Sequence, residues 1–174
     1  YTTPAPARNR VSRFTLAGGQ LGGEVVVLDG PVAQAAFHTG GCLRFAADGT
    51  LFVSMGDDTQ FATTAQNPYD LRGKILHINR DGTAASGNPY LLGGGDPRVW
   101  AIGFRNPYRF NIQPSAPGGP NLFIGDVGGV TFEEIDIGIA GGNFGWSTVE
   151  GPEPRGLPGY VYPIYSYTHD AGAS

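Results

Sequence analysis

Along most of the chain apolar and polar residues alternate in short runs, and each run stops at a glycine, proline, asparagine or aspartate. A two-residue period bounded by turn formers predicts half-buried strands. By that reading strands cover residues 11–16, 24–28, 43–46, 51–55, 74–79, 99–103, 108–112, 122–125 and 133–137, and almost nothing reads as helix. The clearest local signal is the run at 42–45, the turn Asp48-Gly49, and the run from Leu51 to Ser54. Asp-Gly between alternating runs predicts a hairpin, because glycine takes positive φ without penalty. Asp81-Gly82 is expected to close the strand at 74–79 in the same way, and Asp29-Gly30 to end the strand at 24–28.

Composition sharpens this into an all-β fold. The 29 Gly and 14 Pro among 174 residues make disorder worth testing, but 40% hydrophobic and 11% aromatic residues supply a core that a disordered chain lacks. Repeated strand–turn units predict a β-propeller, whose blades are four-stranded sheets of roughly 40–50 residues. At that size the chain supplies roughly three to four blades.

Charge excludes one class of partner. With 11 basic and 15 acidic residues and a pI near 5.2 there is no basic stripe for a phosphate backbone, so nucleic acid is not expected. A single cysteine, Cys42, excludes an internal disulfide and a paired-cysteine metal cluster. No run reaches the 18 or so apolar residues of a membrane span.

Three clusters carry candidate chemistry: His38-Thr39-Gly40-Gly41, Gly103-Phe104-Arg105-Asn106-Pro107 and Gly125-Asp126-Val127-Gly128-Gly129. An imidazole titrates near neutral pH and suits a general base. A guanidinium with an adjacent amide suits a planar, oxygen-bearing ligand. Backbone carbonyls in a glycine loop suit calcium. The bland alternatives are a rim histidine and an Arg-Asn-Pro turn, with Pro107 holding Asn106 extended. His77 and His169 have no comparable context and are expected to be structural. Glu133, Glu134 and Asp136 could suggest a glycosidase pair, but neighbours on a strand point to opposite faces. Asp57-Asp58 lacks the spacing of a helix–loop–helix calcium site. The Asn143-Phe144-Gly145-Trp146 segment reads as a turn with aromatic packing at a blade junction.

Taken in order, these segments resemble the glucose/sorbosone dehydrogenase family. The likeness runs from His38-Thr39-Gly40-Gly41-Cys42-Leu43-Arg44-Phe45 through Leu71-Arg72-Gly73-Lys74-Ile75-Leu76, Arg105-Asn106-Pro107 and Asp126-Val127-Gly128 to Phe132-Glu133-Glu134-Ile135, Asn143-Phe144-Gly145-Trp146 and Glu150-Gly151. The resemblance implies a six-bladed propeller of which residues 1–174 form the middle, truncated at both ends, with Ser166-Tyr167-Thr168-His169 ending where a family member would begin another blade. It implies oxidation of an aldose-type sugar to its lactone with pyrroloquinoline quinone (PQQ) and calcium as cofactors and an external electron acceptor. His38 would be the base, Arg105 would be catalytic and bind the quinone with Asn106, and Gln66 would be a further contact, with Gln60 as competitor. The carbonyls of Gly128 and Gly129 would hold calcium. A secreted or periplasmic location follows from the same resemblance, and exposed blade faces would favour self-association.

Two departures stand out. Well-known glucose-oxidising members carry Gly-Pro where this chain has Gly128-Gly129, and an aspartate where it has Phe37. Phe37 cannot accept a hydrogen bond from a sugar hydroxyl, which points away from glucose as preferred substrate. Hedgehog-interacting-type relatives share the propeller, so a non-catalytic module that binds protein or glycan is the alternative.

Overall fold

The structure is a computed structural model describing residues 1–60, 62–113 and 121–169. Three antiparallel sheets follow one another along the chain. The first is the hairpin of β1 (Arg8–Ala17) and β2 (Gln20–Val32). The second, in order β3-β4-β5-β6, comprises Leu43–Phe45, Leu51–Met55, Lys74–Ile78 and Val99–Ile102. The third, in order β7-β8-β9-β10, comprises Pro107–Gln113, Asn121–Asp126, Phe132–Gly138 and Tyr165–Thr168. These are two complete four-stranded blades and one two-stranded blade of a partial β-propeller. A four-residue helix, α1 (Ala62–Ala65), lies between β4 and β5.

The period-two pattern sorts residues onto the two faces of the middle blade. Phe52 and Ile75 face the third sheet in a cluster with Trp100, Phe104, Phe110, Leu122, Ile124 and Phe144. Leu51, Val53, Met55, Leu76 and Ile78 face the other way and pack with Leu28, Val11 and Val27 of the first hairpin. Both faces are covered, so every residue of β4 and β5 is buried. Burying each large aliphatic side chain contributes about 1.5–3 kcal/mol. His77 stacks on Phe52 at 4.2 Å and bonds Asn88 and Thr50, which gives it the expected structural role.

The Asp-Gly turns form as read. Asp48 Oδ1 accepts the Thr50 N–H at 2.9 Å, and Asp81 Oδ1 accepts the Thr83 N–H at 3.0 Å. One expectation is corrected. Asp29-Gly30 does not end a strand: β2 runs through it to Val32, because Asp29 is held by Arg10 at 2.8 Å and the ladder absorbs the irregularity as a register shift. Residues 165–168 form the last strand, β10. They pair with the free edge of β9, Tyr165 opposite Ile135 and Thr168 opposite Phe132, and complete the third sheet.

Candidate active site

Antiparallel order brings the sequence motifs to one edge. The start of β3, the ends of β4 and β6, the start of β7 and the end of β8 lie on the same side of their sheets, and the loops leaving them carry the chemistry. His38 precedes β3, Asp57 follows β4, Arg105 and Asn106 join β6 to β7, and Gly128 and Gly129 follow β8.

Backbone bonds lock these loops together. The Asp57 N–H donates to Arg105 O at 2.7 Å, and the Gly40 N–H donates to Asn106 Oδ1 at 3.1 Å. Gly56 sits at the crossing, where a Cβ would lie 2.0 Å from His38 O, so only glycine lets the loops pass. His38, Asp58 and Thr59 have φ of 55°, 55° and 60°, a concentration of left-handed non-glycine backbone. Asp58 holds part of it by accepting the Gln34 and Ala35 N–H groups.

The fully buried Asp57 organises the side chains. Its Oδ1 lies 2.7 Å from His38 Nδ1 and accepts the Thr59 N–H at 2.8 Å, while its Oδ2 accepts the Trp146 indole N–H at 2.8 Å. A carboxylate only accepts, so His38 Nδ1 carries the hydrogen and Nε2 keeps its lone pair. Trp146 in turn faces the Arg105 guanidinium, 5.5 Å from the ring centroid.

Arg105 and Asn106 are held from behind by Asp126, whose carboxylate accepts their backbone N–H groups at 2.9 and 2.6 Å. Arg105 Nη1 donates to Val127 O at 3.0 Å, while Nε is buried with no partner among the described residues. The structure thus brings His38, Arg105, Asn106, Gly128 and Gly129 to one edge. Gln66 is near but fully engaged: its amide bonds Asn143 in both directions and donates to Trp146 O at 2.8 Å.

The glycine loop fits a cation held by carbonyls. A Cβ on Gly128 would fall 1.4 Å from Phe132 O and one on Gly129 2.6 Å from Trp146 Cη2, so side chains are excluded. Among the described residues no hydrogen bond runs to the carbonyl oxygen of either glycine. Free carbonyls beside an unpartnered guanidinium Nε match the needs of calcium and of an oxygen-rich planar cofactor.

Behind the loop, Asp126, Glu134 and Asp136 bring one carboxylate oxygen each to within 4.8 Å of the others, near enough to share a cation. Both Asp136 oxygens lack partners among the described residues. Burial, then Glu150 and Glu133, raise Glu134 from 4.5 to about 7 against the pull of the Gly151 N–H. Burial and the neighbouring carboxylates hold Asp126 and Asp136 well above the ordinary range. For Glu150 burial acts upward, yet four backbone N–H groups win and bring it below its usual value. Glu133 accepts the Gly128 N–H and pairs with His169 at 3.0 Å, so Glu133 and Glu134 each serve the backbone around this loop.

Sequence reasoning marked the Asp126 carboxylate without a partner, weighed Asp57 only as part of a cation loop, and did not find the link from Trp146 to Asp57. One signal could have found the two aspartates. The second strand of each complete blade runs into Gly-Asp, at 56–57 and 125–126, and both acids bond the loop that carries Arg105.

Comparison with known proteins shows the family and the fold. The family model for glucose / sorbosone dehydrogenase matches residues 1–171. HIPL2 protein from Arabidopsis thaliana is 35% identical over 161 residues, 75% of this chain and 23% of that protein. Aldose sugar dehydrogenase YliI from Escherichia coli is 31% identical over 117 residues, 67% of this chain and 30% of that protein. Among solved structures, an oxidoreductase described as a glucose dehydrogenase from Thermus thermophilus superposes with a TM-score of 0.83 at 35% identity, covering 92% of this chain and 49% of that one. The PQQ-bound aldose sugar dehydrogenase from Streptomyces coelicolor gives a TM-score of 0.75 at 28% identity over 93% of this chain and 48% of that one. The chain therefore spans about a quarter of HIPL2 and about half of these solved dehydrogenases. Matched by the family model over residues 1–171 and sharing its fold with solved dehydrogenases, the chain belongs to the glucose/sorbosone dehydrogenase family.

Proposed function

We propose that the protein containing this chain oxidises an aldose-type sugar to its lactone with PQQ and calcium, with His38 as general base. The observation that carries the reading is the continuous link from His38 through Asp57 and Trp146 to Arg105. When bound, the quinone supplies a hydride acceptor for the anomeric carbon.

The chain's own groups supply the rest. His38 Nε2 takes the proton of the anomeric hydroxyl as the C–H bond gives up its hydride and the C=O bond forms. Asp57 keeps the proton on Nδ1 beforehand and stabilises the imidazolium afterwards. Arg105 and Asn106, their backbones fixed by Asp126, would hold the cofactor and offer donors to its oxygens. The carbonyls of Gly128 and Gly129 would hold the calcium, and Trp146 keeps the Arg105 guanidinium in one place. By likeness to its relatives we place the protein outside the cytoplasm, passing electrons to an external acceptor. Phe37, 70% exposed beside the base, is a hydrophobic surface where a hydroxyl-binding group would favour glucose.

The test is His38→Ala in the full-length protein, read by dye-linked oxidation of a panel of aldoses. Activity should fall to near background; undiminished turnover would remove His38 as base. The second reading, a propeller that binds protein or glycan without catalysis, is favoured by Gln66 being spent on Asn143 and Trp146. It requires that the wild-type protein fail to bind PQQ in calorimetric titration with calcium present.

A further inference from the structure

Between β8 and β9 the N–H groups of Gly129, Val130, Thr131 and Phe132 converge on one atom, Oε1 of Glu150, at 2.8, 2.8, 2.9 and 3.2 Å. Successive amides aimed at one point make an anion nest. Here the chain supplies the anion itself. Glu150 is anchored at its root, where its N–H donates to Glu153 O at 3.0 Å and the following Gly151 N–H donates to Glu134 Oε1.

A trans peptide sets its C=O antiparallel to its N–H. Aiming these four N–H groups at Glu150 therefore turns the carbonyls of Gly128, Gly129, Val130 and Thr131 away from it. Thr131 O behaves accordingly and accepts the His169 N–H at 3.1 Å. One peptide earlier the same logic holds with another acid: the Gly128 N–H donates to Glu133 Oε2 at 3.1 Å, and Val127 O turns to Arg105 Nη1 at 3.0 Å.

We infer that Glu150 is a positioning residue for the metal site: its carboxylate aims Gly128 O and Gly129 O at the cation while touching neither cation nor substrate. The inference rests on the calcium reading above. It separates two jobs that a glycine loop is usually credited with together. The glycines make room, and the distant carboxylate sets direction. With Gly129 rather than a rigid residue at the second carbonyl, direction must come from outside the loop.

Terbium is a suitable probe, because Trp146 packs against Gly129 and can sensitise its emission when it occupies the calcium position. In the full-length protein, Glu150→Ala should weaken terbium and calcium binding by at least about tenfold, in line with outer partners of metal ligands. Glu150→Gln, which keeps an acceptor of the same reach but not the charge, should recover part of that loss. Ile78→Val, in the core away from the site, should lower the melting temperature and leave affinity unchanged. If Glu150→Ala does not fold, Glu150→Gln alone must still bind several-fold more weakly than wild type. Wild-type affinity in the Glu150 variants overturns the inference and leaves the calcium reading standing. Absence of any terbium or calcium binding by the wild type overturns both.

Discussion

The acid cluster behind the glycine loop makes a directional prediction about stability and pH. Glu134 is half-buried, and burial, with the charges of Glu150 and Glu133 nearby, raises its pKa from 4.5 to about 7. A carboxyl raised in the folded state holds its proton there while the unfolded chain has released it. Between pH of about 4.5 and about 7 the folded state thus binds more protons, and stability falls as pH rises through that window. At about 1.4 kcal/mol per pH unit the shift corresponds to about 3 kcal/mol. Solvent reaching the group reduces the expected effect to about 2 kcal/mol. Asp126 and Asp136 act in the same direction. The exposed acids held below their usual values, such as Asp29 and Asp81, act in the opposite sense but below this window. His77, lowered by burial, opposes this trend inside the window, and Lys74, lowered by burial to about 7, opposes it above pH 7, so the contribution of Glu134 is read as the difference between wild type and Glu134→Gln in urea unfolding from pH 4.5 to 8 with a chelator present. Glu134→Gln, a mimic of the protonated form, should reduce the slope and exceed wild type at pH 8 by about 2 kcal/mol. A glutamine variant whose advantage over wild type does not grow between pH 5 and 7, or one weaker than wild type at pH 8, would refute the assignment.

Asp57→Asn leaves the site's shape in place but offers His38 Nδ1 an amide that can donate, so the wrong tautomer is favoured. Dye-linked turnover of the full-length protein should drop by at least about a hundredfold with a stability loss of only about 1–2 kcal/mol, and retention of activity would show that Asp57 does not orient the base. Burial lowers Lys74 to about 7, so at pH 6 it is an ammonium that donates to the carbonyls of Thr64, Ala65 and Arg72 at 2.7, 2.9 and 2.6 Å, and Lys74→Met removes it. Leaving three acceptors unpaired should cost about 3 kcal/mol in urea unfolding, and an unchanged midpoint would mean that water replaces the ammonium.

Much of the fold was legible because strand formation follows a local period. The strands at 51–55 and 99–102, the Asp-Gly turns and the order of the motifs all depend on neighbours a few residues apart, and they stand close to where the sequence reading put them. The residues proposed as base, guanidinium and glycine loop could be picked out in the sequence too, since few residue types can do that chemistry, and they meet at one edge of the structure. What the sequence could not decide was which groups would meet. Asp57 bonds His38 across 19 residues and Trp146 across 89, and Glu150 reaches back 21 residues to Gly129, distances set by how blades stack. Packing likewise spent the amide of Gln66 on Asn143 and carried β2 through Asp29-Gly30. It also drew residues 165–168 onto the open edge of β9. A periodic pattern determines that a strand forms and which face it buries. Its hydrogen-bonding edge is the same backbone everywhere, so partner choice is settled only when the sheets close on one another.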